Sequence, residues 1–276
     1  MEVLYHAHRF STIKAINDEE LLAESTFLST DFEAVGRLVI DQKSFLIKDA
    51  RWDIYRSPGG GLNGGKELPG LKGVEAYFNA GGSLRRVAGD EAGGLPRELL
   101  ADCVKGSIQA ETFIFEKRGF TSARSYEEYW EKIYLNACRY FSNLDRLTCR
   151  WFDYIGGYER EGTLFNRNMS SIIWRQDGGS LAAYGCFSDS FHELGVHIGL
   201  NSEGIVTECT GNFLRAPDRV CFENSAHLLK LVGKNIALLS KREIGELVGG
   251  SQGCNHLVDI VYNVGSAVTN AMGGKG

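Results

Sequence analysis

Residues 188 to 217, SDSFHELGVHIGLNSEGIVTECTGNFLRAP, lie without a gap on residues 29 to 58, STDFEAVGRLVIDQKSFLIKDARWDIYRSP, at a constant offset of 159. The match extends over 15 to 58 against 174 to 217 and pairs Asp18 with Asp177, Leu22 with Leu181, Phe32 with Phe191, Gly36 with Gly195, Arg56 with Arg215 and Pro58 with Pro217. A one-residue insertion then moves the offset to 160, where Leu68 meets Leu228, Leu71 meets Leu231, Gly73 meets Gly233, Gly89 meets Gly249 and Gly93 meets Gly253. Identities are sparse, so the repeat is argued from sustained register and shared apolar patterning.

Inside the quoted stretch Leu194, Val196 and Ile198 alternate with Gly195, His197 and Gly199, the pattern of a half-buried strand. Gly204 turns the chain into a second strand, whose Ile205, Cys209 and Phe213 match Leu46, Ala50 and Ile54. Segments 68 to 89 and 228 to 248 read as helical, and 94 to 111 and 254 to 270 as a closing helix of each copy. Strands first and helices afterwards predict an α+β fold: a tandem duplication in which each copy is an antiparallel sheet with helices on one face. The expected divisions are a first repeat over 1 to 118, a connector over 119 to 163 and a second repeat over 164 to 272, with Gly273 to Gly276 disordered.

The connector carries a capping box, Ser125 to Glu128, and then Tyr126, Trp130, Ile133, Tyr134, Ala137, Phe141 and Leu144 on one helical stripe. Such a stripe is expected to pack between the two halves. The alternatives are a ligand-binding or dimer-forming aromatic face.

The composition narrows the functional classes. With 276 residues, 43% apolar and 24% charged, the chain is long enough for two cores. A formal net charge of -5 without a Lys/Arg cluster argues against nucleic acid as partner. The opening MEVLYHAHRF lacks the features of a signal peptide, and no stretch approaches the roughly 18 apolar residues of a membrane span, so a cytoplasmic location is expected. Seven irregularly spaced cysteines read as reduced thiols or metal ligands rather than a disulfide framework.

A repeat acts as an internal control, because positions needed by the fold should agree between copies while positions needed by a site need not. His192, Cys221, Cys254 and His256 face Glu33, Gly61 or Leu62, Gly94 and Pro96, so any site belongs to the second copy. Strand parity puts His192 on the face of Leu194, Val196 and Ile198, toward the helices. Cys254 opens the last helix, where backbone N–H groups favour a thiolate, and Cys221 follows the Phe213 strand. Two thiolates and two imidazoles make a tetrahedral zinc site or an iron site. Residues two apart do not share a helix face, so Cys254 and His256 both ligate only if one lies at or before the cap. Otherwise His256 orients a ligand or serves as base to a nucleophilic Cys254.

Other candidates are weaker. Cys209 and Cys186 read as small buried apolar residues, Cys103, Cys138 and Cys149 have no partner in the other copy, His227 reads as a helix-capping or solvated group, and His6 and His8 read as surface groups. GGLNGGK, Gly60 to Lys66, has the G-x-x-x-x-G-K spacing of a phosphate loop, but Glu67 replaces the Ser/Thr and the preceding strand is antiparallel, which argues against a nucleotide.

With these residues in view, 167 to 271 resembles a bacterial domain-of-unknown-function family whose signature is Gly-Cys-Thr-His-Leu, read here as Gly253, Cys254, Asn255, His256 and Leu257. Trp174, Arg175, Asp177, Gly178, His192, Pro217 and Cys221 match its earlier marks. More distantly, both halves resemble the iron–sulfur scaffold NifU/IscU and the sulfur acceptor SufE. That resemblance implies Cys221 and Cys254 as ligands of zinc or a nascent cluster, with His192 or His256 completing the set; the scaffold's first cysteine has no counterpart, since Cys186 lies too early.

The expected function is therefore an accessory protein that binds one metal ion or iron–sulfur cluster and handles iron, sulfur or a metallocofactor for a partner metalloenzyme or its maturation machinery. The alternatives are a thiol-dependent enzyme or sulfur carrier using Cys254 with His256, and a non-catalytic subunit of a larger complex, possible also as a homo-oligomer.

Overall fold

The computed structural model describes residues 1–157 and 159–273, and shows an α+β protein with nine antiparallel strands and seven α-helices. The expected disorder of the last residues falls on 274–276, outside the described residues; Gly273 itself ends a helix.

The strands are β1 (Glu2–Ala15), β2 (Glu20–Ser29), β3 (Glu33–Asp41), β4 (Ile47–Arg56), β5 (Gly64–Glu67), β6 (Thr163–Arg175), β7 (Leu181–Asp189), β8 (Glu193–Leu200) and β9 (Val206–Arg215). The helices are α1 (Ala80–Ala88), α2 (Leu95–Ala110), α3 (Ala123–Ile133), α4 (Trp151–Ile155), α5 (Arg219–Phe222), α6 (Lys241–Val248) and α7 (Asn255–Gly273). The chain divides into two compact units: one of His8–Tyr126 with Tyr158–Asn168, the other of Met1–Ala7, Glu127–Gly157 and Met169–Gly276. The long strands β1 and β6 each contribute a part to both. Strand order is β5-β4-β3-β2-β1-β6 in the former unit and β1-β6-β7-β8-β9 in the latter.

In the first unit α2 approaches the cross-strand pair Ser25 and Gly36, where a Cβ on Gly36 would stand 2.9 Å from that of Leu99. In the second, α7 approaches the pair Gly185 and Val196, where a Cβ on Gly185 would stand 2.6 Å from Val264. In each unit the strands thus admit their helix through one missing side chain. Leu194, Val196 and Ile198 of β8 and Leu257, Ile260, Val261 and Val264 of α7 are buried, each contributing about 1.5–3 kcal/mol.

The two hairpins share their irregularities. Register shifts fall at Glu33/Ala34 and Val39/Ile40 on β3 and at Glu193/Leu194 and Gly199/Leu200 on β8. β3 and β8 thus correspond at an offset of 160, whereas β4 and β9 correspond at 159, as Ile54 with Phe213 shows. The turn Asn201–Ile205 is one residue shorter than Asp41–Leu46, a change that the gapless alignment lacks, and the insertion after Pro58 then restores the offset of 160 at Gly73 and Gly233.

Several expected elements differ. Only residues 80–88 of the expected helix 68–89 are α-helical, and only 241–248 of 228–248; Gly73 and Gly233, both at φ +80, break the rest. Ser125 lies inside α3, and Ser122 receives the Ser125 N–H at 3.1 Å in the capping role. The aromatic stripe stops being one helix at Ile133, and Asn136 at φ +63 turns the chain. Gly64–Glu67 continues into a strand paired with β4 rather than a helix N-terminus, and Lys66 pairs with Glu91, so the glycine-rich loop lacks a phosphate cradle's form. Among the described residues no helix is long and apolar enough to cross a membrane.

Candidate functional site

The site is built on the β7–β8 turn and the start of α7. Asp189 ends β7, and its Oδ1 accepts the N–H groups of Phe191 at 2.8 Å and His192 at 2.7 Å, an Asx-type turn. The Asp189 N–H donates to the His192 carbonyl at 2.8 Å, and Arg215, at the end of β9, donates to the carbonyls of Asp189 at 2.6 Å and His192 at 3.2 Å. Backbone and guanidinium together fix the turn that carries both side chains.

His192 points toward the helical layer. Its ring lies 3.9 Å from that of His256, centroid to centroid, at 34°, and its Nδ1 is 3.2 Å from Asp189 Oδ1. His256 is flanked on its other side by Phe187, 4.9 Å between centroids. Its Nε2 stands 3.9 Å from Asp189 Oδ2, and its Nδ1 stands 3.7 Å from Cys254 Sγ. One ligand atom from each of Asp189, His192 and His256 lies within 4.8 Å of the others, and this is the group of that kind found among the described residues. The Asp189 side chain is fully buried, His192 is 11% exposed and His256 21%, so the opening to solvent is on the His256 side.

Cys254 immediately precedes α7, so the cap condition on the Cys254 and His256 pair is met. Burial pushes its thiol well above the ordinary range, against the opposing pull of the N–H groups of Leu257 and His256. The chain reaches it through Gly253, where a Cβ would come 2.2 Å from the Gly249 carbonyl and 2.4 Å from that of Val248. No side chain fits, which explains the glycine before the cysteine.

Cys221 sits on α5, whose N-cap is Asp218. It is buried, its thiol is pushed up to about 12 by burial, and it lies outside the close group of three. Asp218 itself is buried and held below the usual aspartate range: burial acts to raise it, but hydrogen bonds from Val220, Thr148 and Cys149 overcome that. Its Oδ1 takes the Val220 N–H at 3.0 Å, and its Oδ2 takes the Thr148 N–H at 2.7 Å, the Thr148 hydroxyl at 2.8 Å and the Cys149 N–H at 2.9 Å.

The structure thus brings together His192, His256 and Cys254, and adds Asp189, which the sequence reading passed over. The signal was present in Asp-Ser-Phe-His: an aspartate three residues before a histidine at a strand end is a turn former whose second oxygen is free to point inward. The gapless alignment hid it by pairing His192 with Glu33 and Asp189 with Thr30. Hydrogen bonding pairs them with Phe32 and Ser29 instead. Ser29 Oγ accepts the N–H groups of Asp31 at 3.2 Å and Phe32 at 3.0 Å, and Arg56 donates to the carbonyls of Ser29 at 2.7 Å and Phe32 at 3.2 Å.

Residues 182–270 match a family described as a protein of unknown function, DUF2889, and this stretch holds Asp189, His192, Cys221, Cys254 and His256. No curated protein and no solved structure matches the chain significantly.

Proposed function

We propose that the chain is an accessory protein that holds one divalent metal ion through Asp189, His192 and His256, with Cys254 beside the open position, and handles that ion or a metallocofactor for a partner protein. The observation that carries this reading is the convergence of one carboxylate and two imidazoles within 4.8 Å at a largely buried point. One carboxylate and two imidazoles suit zinc or mononuclear iron(II) and leave room for a further ligand. Those donors favour an ion over an iron–sulfur cluster, which takes thiolates. Cys221 would then serve the α5 packing, and Cys254 would supply a fourth donor or a neighbouring thiol. When bound, the ion supplies Lewis acidity; the chain's part is to hold the donors and keep Asp189 away from bulk water.

We also infer that the two units descend from one duplicated domain. Support comes from the shared register shifts and from the turn that Ser29 and Arg56 build in one unit and Asp189 and Arg215 in the other.

The test is metal analysis of protein purified without oxygen, comparing wild type with Asp189→Ser and Cys254→Ala. About one ion per chain in wild type and near-zero metal in Asp189→Ser supports the reading. Near-zero metal in all three ends it. A second reading has its own observation, the line Cys254 Sγ, His256 and Asp189, with steps of 3.7 and 3.9 Å, which is the order of a thiol, its base and the base's orienting carboxylate. Its mark is rapid alkylation of Cys254 at neutral pH in metal-free protein. The buried, proton-holding thiol speaks against it.

A further inference from the structure

Within the unit that holds the histidines, the segment Thr148–Ile155 carries the five-residue helix α4 and is fastened at both ends. Its start, Thr148 and Cys149, is held by the buried Asp218 carboxylate. On α4, the Trp151 ring meets Phe191 edge-on at 4.7 Å and 63°. The Tyr154 hydroxyl donates to the Phe191 carbonyl, and the Arg215 guanidinium faces the same hydroxyl.

That carbonyl belongs to the peptide group whose N–H is that of His192. The same N–H donates to Asp189 Oδ1 at 2.7 Å. Hydrogen bonds to the two ends of one peptide polarise each other, so a donor on the carbonyl strengthens the bond from the N–H. Tyr154 is therefore one peptide away from the candidate carboxylate ligand.

The other unit shows that the turn does not need this device. Asp31 stands where Phe191 does, Gly59 aligns with Asp218, and Arg56 completes its turn by donating to the Thr30 carbonyl at 2.8 Å. The fold of the turn is reached with Ser29, Arg56 and backbone alone. Trp151, Tyr154, Phe191 and Asp218 are additions on the side that holds the histidines.

We propose that Tyr154 is a positioning residue for the metal site, acting through the Phe191–His192 peptide to fix the Asp189 carboxylate so that its second oxygen faces His256, with Asp218 and Trp151 holding the segment in place. This rests on the metal reading above. Groups hydrogen-bonded directly to a ligand typically change metal affinity about 10–100-fold when deleted, and Tyr154, one peptide further out, is expected at or below the lower end of that range. Tyr154 loses only its hydroxyl in Tyr154→Phe.

The test is Zn²⁺ affinity by competition with a chromophoric chelator and the absorption spectrum of Co²⁺-loaded full-length protein, for wild type, Tyr154→Phe and Thr148→Val. The expected result is an affinity lower by roughly three- to tenfold and a changed Co²⁺ spectrum in Tyr154→Phe, with an unchanged unfolding midpoint of metal-free protein. Thr148→Val, which removes one hydrogen bond to Asp218 and leaves Tyr154 intact, should lose less. Wild-type affinity and spectrum in Tyr154→Phe would overturn the proposal while leaving the metal reading standing. An equal loss in both variants would assign the effect to general loosening of the segment and also overturn it. Absence of metal binding in wild type would remove the metal reading, and the positioning role with it.

Discussion

The turn at Ser29–Phe32 and the turn at Asp189–His192 solve the same backbone problem with different side chains. Both cap two N–H groups with a side-chain oxygen, and an arginine from the neighbouring strand locks three carbonyls in the first turn and two in the second. A hydroxyl is sufficient for the capping, as Ser29 shows. Asp189 adds a second, buried oxygen that the turn does not require, and a buried polar group costs free energy unless it is hydrogen-bonded. Phe32 likewise shows that an apolar ring fills the position His192 occupies. The difference between the turns is thus a measure of what the second one keeps for purposes other than folding.

The comparison can be tested by making each turn more like the other. The largest effect is expected from Asp189→Ser with His192→Phe: metal affinity should fall at least about 100-fold while the protein stays folded, measured by metal content and unfolding midpoint together. A loss of fold would show that the first turn does not report on the second. Next comes Asp218→Ala, which strips the acceptor from three N–H groups and a hydroxyl and should destabilise by roughly 3 kcal/mol in denaturant titrations. No counterpart exists at Gly59, so the cost belongs to one unit.

Asp218 also gives a pH signature. Because its folded pKa lies below the unfolded value of about 3.9, its contribution is fully present above that value and is lost as pH falls through the folded one. Stability of wild type should drop more steeply than that of Asp218→Ala below about pH 4. Equal slopes would mean that its hydrogen bonds do not favour the charged form. A smaller contrast is expected at the matched glycines: Gly253→Ala meets two carbonyls and should cost about 2–3 kcal/mol, whereas Gly93→Ala meets open space at φ +68 and should cost about 1 kcal/mol. The smallest is Ser29→Asp, which should stay within about 1 kcal/mol by thermal unfolding, since the first turn already accepts a capping oxygen there.

Much of this arrangement was legible in the residues. Alternation of Leu194, Val196 and Ile198 placed β8 and the side on which His192 lies, and the closing helices 95–110 and 255–273 begin within a residue of the expected positions. The gapless alignment lies one residue off the register in which the strand pairings of β2–β3 and β7–β8 coincide, because length changes inside a turn leave no mark when identities are few. That slip concealed Asp189. The helices expected over 68–89 and 228–248 form only over 80–88 and 241–248 for a local reason: apolar spacing suggests the longer spans, and left-handed glycines at 73 and 233 interrupt them. The anchoring of Tyr154 had no sequence signal, since it depends on a contact 37 residues away.

β1 and β6 each lend residues to both compact units, and the unit that holds the histidines also draws on Met1–Ala7 and Glu127–Gly157. A cut between the two halves of the sequence would therefore not release a finished half. A fragment starting at 164 would keep all the donor side chains yet discard the strand beside β6, together with Thr148, Trp151 and Tyr154. Whoever wishes to study the histidines in isolation would do better to join the ends elsewhere than to shorten the chain.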